Sequence, residues 1–177
     1  SLEPYQDAVA EAPLFPGRPA PAGILRRGAV SELGLTEWRL SNGARVLLKP
    51  TDFKEDQVLF AAFSPGGDSL VADRDYVSAV TAATIVDESG LDGFDAVQLR
   101  KKLAGRAVEV TPWIGELFEG FSGQARPADL EVLLQLVNLY FTSPRRDEQA
   151  YQAYRQRVLT AVQNRQASPE AVFQDRV

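Results

Sequence analysis

The apolar run from Val58 to Phe63 ends at Ser64-Pro65-Gly66-Gly67, and a helix-patterned stretch from Asp73 to Gly90 follows it. A short continuous apolar run bounded by turn residues suits a strand at the centre of a sheet. The Pro-Gly-Gly cluster then reverses the chain. Asp73 or Asp75 stands where a helix cap accepts backbone amides, and Gly90 where a left-handed residue ends a helix. Val77, Val80, Ala83 and Thr84 share one face of that helix, and it carries no acid, base or metal ligand. Strand, tight turn and helix in this order require a layered fold, a sheet with a helix laid across it. Gly66-Gly67 lacks the further glycines and the lysine of a phosphate loop and reads as a plain turn.

The other elements fit that frame. Trp38 to Lys49 alternates and turns at Ser41-Asn42-Gly43, and Asn-Gly between β-prone runs is a hairpin signal. Asp95 opens a second helix as a capping box with Gln98, and Gly105 closes it. Ala96, Leu99 and Leu103 form its buried stripe, with Arg100-Lys101-Lys102 on a solvated side. Arg106 to Ile114 and Leu117 to Arg126 read as a strand pair turning at Gly115. Gly120 and Gly123 there mark bulges or close backbone approach. Trp113 reads as core or edge packing. Pro127 to Phe141 is an amphipathic helix with Leu130, Leu133, Leu134, Val137 and Phe141 on its stripe. Ser143-Pro144 stops it. Asp147 to Gln166 is a long helix with Tyr151, Tyr154, Val158 and Ala161 on one face. Ser168-Pro169 starts another, which meets the chain end at Val177 without a stop signal. Residues 1–34, rich in proline at first, read as an inter-repeat linker with an edge strand at Ile24 to Val30.

Composition narrows the function. The 177 residues contain no histidine and no cysteine. A Ser-His-Asp triad, a cysteine nucleophile and the usual zinc ligand sets are therefore excluded. The net charge of −5 argues against a nucleic-acid partner. No apolar stretch is long enough to span a membrane. The adjacent acids Asp87-Glu88 diverge on a helix and make a poor acid/base pair. They, Glu55-Asp56 and the Asp73/Asp75 pair read as solvated or capping acids.

Leu40 to Leu48, the Gly66-Gly67-Asp68-Ser69 turn and the helix after it together resemble the opening of a domain of the pitrilysin/insulinase family of zinc peptidases. The resemblance runs from about Trp38 to Val177. In active members this helix carries the inverted zinc motif H-x-x-E-H, two histidines for the metal and a glutamate that activates water. Counted from the Gly-Gly turn, Val80 takes the place of the first histidine, Ala83 that of the glutamate and Thr84 that of the second histidine. The third ligand, a glutamate on the long helix, falls on Ala161, and a supporting glutamate one heptad earlier falls on Tyr154.

The resemblance implies an α+β fold, an antiparallel-rich sheet with helices packed on one face, a LuxS/MPP-like half truncated at its C-terminus. Residues 35–177 are then an inactive, incomplete repeat. The implied function is a non-catalytic, structural and substrate-enclosing domain of a bacterial zinc-dependent metalloendopeptidase acting on peptides. Its partner is the catalytic repeat of the same chain or of another subunit, and zinc belongs to that repeat, with no cofactor here. An exported or periplasmic location follows from the same resemblance. The alternative is a catalytically dead assembly subunit with no peptidase role. Val80, Ala83 and Thr84 are expected to pack directly against Ala161 in a dry contact between the two helices, with Tyr154 in place of the supporting glutamate.

Overall fold

The computed structural model describes residues 12–15, 17 and 19–166. The helix read at Ser168-Pro169 and the opening of the linker lie outside them. The chain divides into two compact units, Phe15–Gln57 and a larger one built on the residues from Val58 onward.

The smaller unit is an antiparallel sheet of β1 (Ile24–Val30), β2 (Leu35–Leu40) and β3 (Arg45–Leu48), in that order. The Asn-Gly turn forms as its residue types demand. Gly43 adopts φ 87°, a region open to glycine, and its amide returns to the Leu40 carbonyl at 3.0 Å. The Asn42 side chain accepts from the Ala44 amide at 3.1 Å, the local bond that makes asparagine a turn residue. Strand β1 occupies the edge expected of it. On one face of the sheet the Arg27 guanidinium lies over the Trp38 ring, 5.6 Å from its centroid.

The larger unit runs β4 (Val58–Pro65), α1 (Tyr76–Ser89), α2 (Ala96–Lys102), β5 (Val108–Ile114), β6 (Phe118–Ala125), α3 (Leu130–Thr142) and α4 (Glu148–Gln166). Its sheet is antiparallel in the order β4-β6-β5. The apolar run is therefore an edge among the described residues, not the centre it was expected to be, and Leu59 within it is 75% exposed. The centre belongs to β6, and its glycines explain why. A Cβ on Gly120 would lie 1.9 Å from the Ala62 carbonyl oxygen of β4, and one on Gly123 2.4 Å from the Glu109 oxygen of β5. Only a strand bare at both points fits between those neighbours.

Helices α1 and α3 both pack against β5, and the sheet's other face keeps polar pairs such as Gln124 with Glu109, 3.1 Å apart. Val110, Phe121 and Ala125 of the sheet meet Val132, Leu133, Leu136 and Leu139 of α3, with Leu91 and Phe94 closing one end. Full burial of a leucine such as Leu133 contributes about 1.5–3 kcal/mol. The expected α3 stripe is only partly right. Leu133 is buried, but Leu134 is 52% and Phe141 73% exposed. Apolar residues run almost all round this helix, so two stripes of similar hydrophobicity exist, and contact with the sheet selects one.

Helix ends show the same division. The capping box at α2 forms in full, with the Gln98 amide bonded to Asp95 at 2.8 Å and the Asp95 amide to the Gln98 side chain at 3.0 Å. At α1 neither Asp73 nor Asp75 caps through its side chain. A 3-10 turn over Asp73–Asp75 leads into the helix instead, and Asp75 accepts from the neighbouring Arg74 at 3.2 Å. Gly90 ends α1 with φ 86° but ψ −169°, a region essentially confined to glycine and distinct from the left-handed helical one. A Cβ there would meet the Phe94 oxygen at 2.3 Å, which fixes glycine for both reasons. Along α2 the expected stripe of Ala96, Leu99 and Leu103 is half-buried, and so are Lys101 and Lys102, leaving Arg100 exposed from the charge run. Among the described residues no helix is long and apolar enough to cross a membrane.

Candidate functional site

The Gly66-Gly67 turn does not reach out to a ligand. Its amides are used up by the β5–β6 turn: Gly66 bonds Leu117 at 3.1 Å, Asp68 bonds Gly115 at 2.9 Å and Ser69 bonds Glu116 at 3.1 Å. Gly67, with φ 89°, lies so close that a Cβ would stand 2.3 Å from the Gly115 oxygen. This contact fixes where α1 begins over the sheet.

Between α1, the ends of β5 and β6, and α3 lies a cleft of ≈ 310 Å³. Ala83 and Val86 form its helical wall, Pro112, Trp113 and Phe121 its floor, and Tyr140 its far end. The lining is chiefly apolar. Trp113, read as packing, is half-buried here. The Tyr140 hydroxyl donates to Asp87 at 2.5 Å and lies 3.4 Å from the Val110 carbonyl. Burial, reinforced by the Asp87 carboxylate, pushes the Tyr140 phenol far above its usual range, so it stays protonated and serves as a donor.

The neighbouring acid goes elsewhere. Glu88 takes Arg157 of α4 through both carboxylate oxygens, at 2.6 and 2.8 Å, and that guanidinium lies 5.5 Å from the centroid of the Tyr154 ring. Adjacent residues on a helix point about 100° apart, so Asp87 serves α3 while Glu88 serves α4. The sequence named both acids without showing this, because their partners lie 53 and 69 residues away.

The degenerate positions differ in exposure. Ala83 lines the cleft. Val80 is 36% exposed, and Thr84 and Ala161 are exposed as well. Tyr154 is half-buried. Helix α1 turns Ala82, Ala83 and Val86 to the cleft, leaving Val77 and Val80 exposed. Ala161 stands with Arg157 and Thr160 along a shallow groove on α4. Val80, Ala83, Thr84 and Ala161 together offer one donor atom, the Thr84 hydroxyl. Zinc takes imidazole, thiolate and carboxylate ligands, so this set does not fit it. Among the described residues no group of three or more acids is arranged to hold a metal either.

Sequence reasoning also missed Asp129, which is buried at the entry to α3. Its Oδ2 accepts from Arg126 at 2.9 and 2.7 Å and from the Ala107 amide at 3.0 Å, and Arg106 lies 3.6 Å from Oδ1. The Arg126 bonds, then the Ala107 amide, hold its carboxyl below the usual range. Asp147 at the start of α4 is lowered as well, chiefly by the Ala150 amide, which it accepts at 3.1 Å.

No family model matches the chain. It is 34% identical over 161 residues to a zinc protease PQQL-like protein of Arabidopsis thaliana, covering 90% of this chain and 14% of the relative. It is 30% identical over 119 residues to a probable zinc protease PqqL of Haemophilus influenzae, covering 67% of this chain and 13% of that protein. The fold matches the periplasmic protease PqqL from Escherichia coli with TM-score 0.82 at 22% identity, over 99% of this chain and 19% of the other. It also matches a mutant of the ferredoxin protease FusC, solved with Arabidopsis ferredoxin, with TM-score 0.80 at 18% identity, over 98% and 19%. The α+β architecture with helices on one sheet face is thus that of PqqL-like peptidase domains.

Proposed function

Since this chain belongs to the pitrilysin/insulinase family of zinc peptidases and spans only 14% and 13% of the curated relatives it matches, we propose that it is a non-catalytic repeat of a zinc-dependent metalloendopeptidase. Residues 35–177 form the repeat, and 1–34 connect it to a preceding one. It helps enclose a peptide substrate, while zinc and the catalytic residues sit in another repeat of the parent chain or in a partner subunit. The neighbour from the periplasm favours an exported location.

One observation carries the reading. The helix after the Gly66-Gly67 turn, where the family resemblance puts the inverted zinc motif, bears Val80, Ala83 and Thr84. Only Ala83 of these lines the cleft, and an alanine can neither bind a metal nor activate water.

The test is a comparison of the full-length parent with the isolated chain. The parent is expected to bind zinc and cleave unfolded peptides, and the isolated chain to do neither. Deleting these residues from the parent should lower activity on long peptides more than on short ones. Equal activity on both after the deletion refutes an enclosing role.

A further inference from the structure

We propose that one face of the three-stranded sheet is a docking surface for an acidic segment of another polypeptide. In the strand register Arg26 of β1 stands opposite Arg39 of β2, and Arg39 stands opposite Arg45 of β3. Paired residues in a sheet share a face, so three guanidiniums form one row about 10 Å across. Like charges placed directly opposite one another destabilise a sheet. Glu37 offsets this repulsion in part, and a partner's carboxylates would offset the remainder.

Glu37 is the one acid in the sequences of these three strands. Its Oε1 accepts from Nε of Arg45 at 2.9 Å and lies 3.3 Å from Nε of Arg39. Both contacts are made through Nε, and the Arg39 and Arg45 side chains stay 59% and 55% exposed, so guanidinium donors remain for a partner's carboxylates. The three arginines less one glutamate leave this face at +2 on a chain of net charge −5. Arg26, Arg39 and Arg45 are all exposed.

The surroundings select the class of partner. A single-stranded nucleic acid needs an aromatic platform beside the cations. The aromatic of this sheet, Trp38, pairs with Arg27 and Val46 and therefore lies on the opposite face. The overall negative charge also disfavours a long polyanion. Carboxylates of an acidic peptide segment match both the row and its short span.

The test is a fluorescence-anisotropy titration of the 177-residue chain with a labelled glutamate octamer, with a lysine octamer and a single-stranded oligonucleotide as comparators. The glutamate octamer is expected to bind at about 20 mM salt and to weaken about tenfold by about 200 mM, as exposed charges do on screening. Arg26→Gln alone should weaken it several-fold and Arg26→Gln with Arg39→Gln further, with thermal melting no lower than that of the unsubstituted chain. Four results overturn the proposal: no binding at low salt, unchanged binding by the variants, a comparator binding as tightly, or loss of binding in the full-length parent, where a segment of its own would occupy the face.

Discussion

The hydroxyl of Tyr140 on α3 donates to the carboxylate of Asp87 on α1 at 2.5 Å, across 53 residues of sequence. The two helices that cover β5 are thereby joined at the end of the apolar cleft. Removing the hydroxyl costs the pair a bond to a charged acceptor, while the exposed Asp87 can still be hydrated. Tyr140→Phe should therefore lower stability by about 1–2 kcal/mol, near the low end for bonds to charged groups. Urea denaturation measures this, and an unchanged midpoint would show that water replaces the bond without loss.

Gly120 should tolerate nothing larger. Gly120→Ala places a Cβ against the Ala62 carbonyl and must part β4 from β6, at about 3 kcal/mol or more. Gly93→Ala meets nothing within 4 Å and should fall within about 0.5 kcal/mol of the parent sequence. Thermal melts of the two variants side by side give the comparison.

Acid should act through Asp129. Its carboxyl titrates below the ordinary carboxylate value of 3.8 when folded, so the unfolded chain binds the proton first as pH falls. The stabilisation is complete above the unfolded value and is lost as pH drops through the folded one. Asp147 acts with the same sign. Asp129→Asn should reduce stability at pH 7 and flatten, without abolishing, its decline as pH falls below the ordinary carboxylate value of 3.8. Denaturant titrations across that range report the slope, and an unaltered slope would remove Asp129 from the account.

Because Ala161 is exposed, Ala161→Glu should change stability by no more than about 0.5 kcal/mol, as surface substitutions do. A loss of several times that would mean Ala161 is covered in solution. The unsubstituted 177-residue chain should retain no stoichiometric zinc after dialysis. Val80→His, Ala83→Glu, Thr84→His and Ala161→Glu together should restore at best weak binding, since Tyr154 supplies no supporting carboxylate. Elemental analysis of both proteins decides this, and about one tightly held zinc per unmodified chain would defeat the non-catalytic reading.

Local chemistry determined what the sequence could show by itself. The Asn42-Gly43 hairpin, the Asp95–Gln98 capping box, the close approach at Gly120 and Gly123 and the chemical emptiness of Val80, Ala83 and Thr84 each depend on residues a few positions apart, or on side-chain type alone. The tertiary structure decided what depends on distant partners. Continuous apolar runs in β4 and α3 do not state which edge or stripe is covered, because burial belongs to a contact and not to a residue. Val77, Val80, Ala83 and Thr84 share one face of α1 by spacing, but of these only Ala83, with Val86, lines the cleft. Asp87 and Glu88 are identical in sequence terms, two adjacent acids. The 100° between them on the helix sends one to Tyr140 and the other to Arg157, and only the folded arrangement of α3 and α4 around α1 supplies those partners.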